Sequence, residues 1–180
     1  MTTTSTGTTY AIDPAHSSAE FVVRHLMIAK VRGRFTGLAG SFEVPAGATV
    51  PSVVSAALEV ATISTSEAQR DGHLKSPDFF DAETFPTITF KSTTIAPNDD
   101  GFHLHGDLTI RDQTHPVTLA VTYEGETVDP WGNKRLGFEA HGKISRKDFG
   151  LTWNQALETG GVAVGDEVKI ELSIEGIAQK

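Results

Sequence analysis

Residues 12–42, IDPAHSSAEFVVRHLMIAKVRGRFTGLAGSF, read as two strands around a bend, and the rest of the chain repeats their pattern. The first arm, Ser18 to His25, sets Phe21 and Val23 against Glu20 and Arg24, the two-residue period of a half-buried strand; Val22 breaks the polar face. The second arm carries Gly33, Gly37 and Gly40 among Phe35, Leu38 and Phe42. The spacing from Phe35 to Phe42 is odd, so a regular strand would point the two rings to opposite faces. A bulge near Gly37 or Gly40 would bring both inside. Glycines inside long strands are what a sheet needs to coil into closure.

The alternation continues downstream. Ser52 to Val60 places Val54, Ala56, Leu58 and Val60 on one face, and Thr87 to Ile95 places Ile88 and Phe90 inward with Thr89, Lys91 and Thr93 outward. After a turn at Asn98 to Gly101, Phe102, Leu104, Gly106, Leu108 and Ile110 oppose His103, His105, Asp107, Thr109 and Arg111. Three more inner faces follow: Val117, Leu119, Val121 and Tyr123; Leu136, Phe138, Ala140, Gly142 and Ile144; Val168, Ile170, Leu172 and Ile174. Eight strands joined mostly by short turns fit either a two-sheet sandwich or a closed barrel. Strands of roughly ten residues, about 33 Å each, with recurrent glycines and inner faces that mix Ala and Gly with large apolar residues, favour the barrel. The expectation is an all-β, eight-stranded antiparallel up-and-down barrel with one or two short helical segments.

Two segments leave the strand period. Ser64 to Phe80, STSEAQRDGHLKSPDFF, predicts a helical turn over Glu67 to Arg70, capped by Ser66 or Thr65 and stopped at Gly72, with a second turn through Leu74. Phe79, Phe80 and Phe85 either staple this loop to the core or close one end of a cavity. The second segment, Arg146 to Gly161, holds Phe149, Leu151, Trp153 and Leu157.

A chain of 180 residues suits one domain, placed at 10–180, after a tail at 1–9 expected to be disordered. The absence of cysteine excludes disulfides and thiol catalysis. With 15 Lys+Arg against 23 Asp+Glu, the net charge of −8 argues against a nucleic-acid partner. No run of about 18 apolar residues exists to form a membrane-spanning helix. The opening MTTTSTGTTY lacks the basic and apolar regions of a secretory signal, which predicts a cytoplasmic protein.

Catalytic signals are weak. His103 and His105 share one strand face about 7 Å apart and would need Asp107 or His141 beside them to hold a metal, whereas a solvated outer face explains them equally well. There is no G-x-S-x-G elbow and no Gly-rich phosphate loop before a helix; Asp78, Asp81 and Glu83 could supply an acid–base pair, but loop carboxylates are common. No catalytic residue, metal or cofactor is expected.

Five segments in order, IDPAHSSAEFVVRHL, VRGRFTGLAGSF, RDGHLKSPDFFDAETFPTITFKS, GDLTIRDQTHPVTLAV and GFEAHGKISRKDFGL, resemble the YceI-like family of polyisoprenoid-binding proteins from about Tyr10 to Ile177. The resemblance implies a lipocalin-like barrel whose apolar tunnel holds a long isoprenoid chain, such as a quinone tail or a polyprenyl phosphate; it does not imply catalysis. It matches Asp13, His16, Ser17, Phe21 and His25, then Asp71 to Leu74 with Asp78 to Phe80, then Arg146 and Asp148 to Gly150. The tunnel candidates are Phe21, Val23, Phe35, Phe42, Leu58, Phe80, Phe90, Leu108, Leu119, Phe138, Phe149 and Trp153. His16, His25, His73 and Arg146 either hydrogen-bond the barrel ends or meet a head group. The expected partner is an isoprenoid lipid as ligand, with transient membrane contact and room for a homodimer. The two irregular segments are the candidate gates. Alternatives are an enzyme acting on an isoprenoid or other lipophilic substrate, metal-assisted through the histidine pair, and an interaction protein with a solidly packed barrel.

Overall fold

The opening hairpin forms the first two staves of a closed barrel. The computed structural model describes residues 7–158 and 160–180. Among these residues the strands are β1 (Thr8–Ile12), β2 (Ser18–His25), β3 (Ala29–Phe35), β4 (Leu38–Val44), β5 (Val53–Glu59), β6 (Ile63–Ser64), β7 (Thr87–Pro97), β8 (Gly101–Ile110), β9 (Gln113–Val128), β10 (Lys134–Ser145) and β11 (Val164–Ala178), and the α-helix, α1, spans Ala68–Lys75. Every pairing is antiparallel between neighbours along the barrel, and β11 closes the ring on the first stave.

The eleven segments make eight staves because the first three staves are each interrupted. β1 pairs Ile12 with Gly176 and β2 pairs Ser18 with Ser173, so both continue along one edge of β11 with Asp13 to Ser17 thrown outward between them. β3 and β4 form the second stave, broken at Thr36 and Gly37; β5 and β6 form the third, broken by the 3-10 turn Val60–Thr62. These last two breaks satisfy one another: the Gly37 N–H donates to Thr62 Oγ1 (2.9 Å) and the Glu59 N–H to the Gly37 carbonyl (2.8 Å). A Cβ at Gly37 would lie 2.8 Å from Glu59 Cβ, so the close approach requires glycine.

That break supplies the odd step between Phe35 and Phe42, and both rings are buried inside. A second phase change sits in β7, where the register with β8 shifts between Ser92 and Thr94; Ile95 thereby returns to the inner side, which strict alternation missed. Val22 remains on the outer face between its cross-strand partners Arg32 and Lys169, yet is buried. Long cationic stems can cover such a position while their charges stay in water.

Strand β1 begins inside the stretch expected as a tail, because closure uses it: Thr8 pairs with Val44 and the Thr9 carbonyl accepts the Gln179 N–H. Residues 1–6 of that expected tail lie outside the described residues. The helix also differs from expectation. It runs through Gly72 to Lys75, and its N-cap is Glu67, whose carboxylate accepts the Gln69 and Arg70 N–H groups. Thr65 is engaged elsewhere: its N–H and hydroxyl both reach Asp71 Oδ1, and the Arg70 Nε donates to its hydroxyl. Among the described residues no helix is long and apolar enough to cross a membrane.

The turn of the opening hairpin is unusual. Leu26 (φ 51°) and Met27 (φ 62°) are its central residues, closed by a hydrogen bond from the Ile28 N–H to the His25 carbonyl (3.2 Å). Two left-handed residues in succession normally call for Asn-Gly, and bulky side chains there cost on the order of 1 kcal/mol each.

Candidate ligand-binding cavity

The inner faces enclose a cavity of about 260 Å³ whose wall presents only apolar atoms to the void. It extends from Ile174 to Val164 along β11, about 30 Å at the rise of a strand. A solidly packed barrel is therefore excluded.

One end is sealed by rings. Tyr10 stacks on Phe42 (centroids 5.2 Å apart), and Phe138 meets Phe42, Phe102 and Tyr123 at 5.5, 5.7 and 5.7 Å. The rings lie flat against the wall where the neighbouring strand has no side chain. A Cβ at Gly176 would come within 2.4 Å of the Phe42 ring, and one at Gly33 within 2.2 Å of the Phe21 ring. Burial raises the Tyr123 pKa, as expected for a phenol in this plug.

Towards the other end the wall residues Phe21, Val23, Leu74, Phe80 and Val164 are only half buried, and both irregular segments converge there. Helix α1 and the loop after it supply Leu74, Phe79 and Phe80; the segment after β10 supplies Arg146 and Leu151. The two segments meet where Trp153 contacts His73 and Phe79. We refer to this end as the mouth and to the two segments as its lid.

Ten of the twelve expected wall residues line the cavity: Phe21, Val23, Phe35, Phe42, Leu58, Phe80, Phe90, Leu108, Leu119 and Phe138. Phe149 and Trp153 do not. The 3-10 turn Arg146–Phe149 carries Phe149 into a packed cluster with Val60, Ile63, Ile88, Ile110 and Leu151, edge-on to His115 (5.2 Å). Trp153 is turned onto the lid instead.

Among the described residues Arg146 is the one cation on the cavity wall, and it is buried. Its Nε donates to the Gly165 carbonyl (2.8 Å), and its terminal nitrogens donate to the carbonyls of Leu151 (2.6 Å), Trp153 (2.8 Å) and Val164 (3.2 Å). Burial pushes its pKa down; Asp166, 3.7 Å away, opposes that. The guanidinium thus ties the start of the lid segment to its return into β11.

The polar signature near the sequence start lies on the outer face, away from the cavity. His16 bonds Asp13 (2.7 Å), and Arg135 pairs with Asp13 (2.9 Å), Asp129 (2.8 Å) and Glu175 (2.9 Å). Ser17 accepts the Glu175 N–H (3.0 Å) and donates to its carbonyl (3.3 Å), which also accepts the Asp13 N–H (2.8 Å), so the jump from β1 to β2 stays bonded to β11. The hydrogen bond from His16, then that from Arg135, hold the Asp13 carboxyl below the usual range. Desolvation would raise Asp129, but hydrogen bonds from the Asn133 and Trp131 backbone, from Arg135 and from the Asn133 side chain outweigh it and leave it at about 2. His73 bonds Asp78 (2.9 Å) within the lid, and His25 lies exposed at the end of β2.

Among the described residues no third ligand joins His103 and His105. His103 is exposed, and His105 bonds Thr118 (2.8 Å); neither groups with Asp107 or His141 at metal-ligand spacing. Among the described residues that spacing occurs at Asp13, His16 and Glu175, where the Arg135 guanidinium already neutralises two of the three.

Comparison with known proteins agrees with this architecture. A family model described as the YceI-like domain matches residues 10–176. A UPF0312 protein of Staphylococcus aureus is 38% identical over 169 residues, covering 93% of this chain and 96% of its own. The chain belongs to the YceI-like family. The crystal structure of Burkholderia cenocepacia BcnA superposes with a TM-score of 0.78 at 25% identity, over 91% of this chain and 98% of that one. A Saccharophagus degradans domain described as polyisoprenoid-binding shares the fold, with a TM-score of 0.68 at 15% identity over 94% and 98% of the two chains. Three of the signatures by which this YceI-like chain resembles its family serve two structural tasks: Asp13 to Ser17 fastens the seam of the barrel, while Asp71 to Phe80 and Arg146 to Gly150 build the lid.

Proposed function

We propose that the protein binds a long-chain isoprenoid lipid in its axial cavity and acts as a non-enzymatic carrier or store. The observation that carries this reading is a cavity about 30 Å long, sealed at one end by aromatic rings, whose wall offers carbon alone. Left unfilled, 260 Å³ of void would cost about 6 kcal/mol at the ~24 cal/mol per Å³ found for core cavities. A hydrocarbon chain recovers that contact energy, whereas water finds no hydrogen-bond partner there. The same wall supports binding over catalysis, since the polar residues along it, Glu20, Thr89 and Arg146, present no polar atom to the space a substrate would fill. The polyisoprenoid-binding description of the S. degradans domain gives the ligand class by analogy of fold.

A bilayer is as apolar as the cavity, so burial of the tail does not by itself favour the protein. Selectivity then rests on cavity length and on the mouth, where the head group of a quinone or polyprenyl phosphate would emerge between the lid segments. Native mass spectrometry of protein purified without detergent tests the proposal. The expected result is an added mass, removed by organic solvent, that is missing in Ala56→Phe, which fills the mid-cavity beside Phe90. Protein that carries no such mass and ignores added long-chain isoprenoids would overturn it.

A further inference from the structure

We propose that the tip of the β2–β3 hairpin, Leu26, Met27 and Ile28, docks on the surface of an anionic phospholipid bilayer and presents the neighbouring mouth to it. The inference rests on the lipid-carrier reading for its purpose, while its geometry stands apart from the cavity. Three consecutive apolar residues are exposed there, Leu26 by 37%, Met27 by 47% and Ile28 by 83%. Leu26 and Met27 hold positive φ, a conformation that Gly or Asn would adopt at less cost and with less apolar surface in water. Strain combined with exposure stabilises nothing in the isolated protein. An apolar tip entering the headgroup boundary would bury that surface.

The charge around the tip selects the kind of surface. From Phe21 to Phe42 the chain carries Arg24, Lys30, Arg32 and Arg34 and no Asp or Glu, within a protein of net charge −8. Arg24 and Lys30 face each other in register, and both are exposed. Like charges directly opposed across a ladder repel, and anionic lipid phosphates relieve that repulsion. Arg32 is partly compensated by Glu171 at 3.0 Å. The β9–β10 turn gives the contrast. Val128 and Trp131 are also exposed, but they stand at the sealed end, where the neighbouring cations Lys134 and Arg135 are already paired with Glu126 and Asp129, so that turn has no counterpart of the Arg24–Lys30 pair to offer an anionic surface.

The tip is also joined to the lid. The Leu26 N–H donates to the Ala163 carbonyl (2.8 Å), His25 pairs with Val164 on the cavity wall, and a Cβ at Gly161 would sit 3.7 Å from Met27 Cγ. A bilayer held at Leu26 to Ile28 therefore lies against the segment that must move for a lipid to pass.

Co-sedimentation with phosphatidylcholine vesicles, pure or containing one third phosphatidylglycerol and free of isoprenoid, tests the docking. Wild type should bind the anionic vesicles at least tenfold more tightly than the neutral ones. Met27→Glu with Ile28→Glu should lose tenfold or more, Arg24→Gln with Lys30→Gln should fall to the neutral-vesicle level, and Trp131→Ala should match wild type. Thermal unfolding verifies that the variants fold. No binding to anionic vesicles, or equal binding by wild type and tip variants, overturns the proposal, as does a tip variant that dissociates a dimer without changing vesicle binding. Uptake of solubilised isoprenoid, assayed separately, tells the two readings apart: vesicle binding without uptake refutes the carrier and keeps the docking, and uptake without vesicle binding does the reverse.

Discussion

The His73 imidazole stands edge-on to the Trp153 indole, with centroids 4.7 Å apart and planes at 87°. Phe79 approaches the same indole at 5.4 Å. This contact joins two lid segments that are remote in sequence, so neither swings away from the mouth without breaking it. An aromatic pair of this kind contributes about 1 kcal/mol, equivalent to a fivefold change in rate. Trp153→Ala should therefore release a fluorescent prenyl ligand about fivefold faster in stopped-flow exchange. An unchanged release rate would place the gate elsewhere.

Arg146 makes the opposite kind of contribution, to the fold rather than to the gate. Arg146→Met takes the guanidinium donor from the carbonyls of Leu151, Trp153 and Gly165, while that of Val164 keeps the Asn154 amide (2.7 Å), and should destabilise the protein by about 3 kcal/mol in urea titration. Arg146→Lys should recover only part of this, because one ammonium cannot reach four oxygens set around a planar fork. Lost lipid affinity at unchanged stability would show that the side chain serves a head group instead.

These two residues also mark where the sequence stops being legible. The eight inner faces follow from alternation, because a side chain's face is decided by its two immediate neighbours in the chain. What alternation misses depends on partners far away: the mutual satisfaction of the breaks at Gly37 and Thr62, the return of Ile95 to the inner side, and the sharing of Trp153 with the helix. Phe42 and Phe138 were readable as inward-facing, but not as a plug, since that role comes from Tyr10, Phe102 and Tyr123 arriving on other staves. Aromatic content in a loop gives no direction, so the sequence does not show that Trp153 turns onto His73 and Phe79. The strain at Leu26 and Met27 had a signal, a hairpin turn without Gly, Asn or Asp, that periodicity overlooks.

The seam network gives a pH prediction. Asp129 has a folded pKa of about 2 against an ordinary 3.8, and Asp13 is shifted in the same direction. A depressed carboxylate contributes stability that is complete above its unfolded pKa and is lost as pH falls through the folded value. Wild type should therefore lose stability between about pH 4 and pH 2 more steeply than Asp129→Asn, which begins lower and should show a shallower slope. Urea unfolding across that range measures both, and parallel slopes would remove Asp129 from the account.

Neighbouring residues on β10 test the facing of the whole barrel. Phe138 is buried among Phe42, Phe102 and Tyr123, whereas Glu139 lies on the outer side between Thr122 and Ser173. Phe138→Arg forces an unpaired charge into the plug, where nothing can solvate it, and should abolish folding. Phe138→Leu keeps the apolar body and removes ring contacts, so it should fold with a loss of about 1 to 2 kcal/mol and open the sealed end to solvent. Glu139→Arg should remain within about 0.5 kcal/mol of wild type, as a partly exposed substitution on the solvent side. Circular dichroism and urea titration of the three variants give the comparison. Equal damage from Phe138→Arg and Glu139→Arg would mean that the face assigned to the cavity is not the interior.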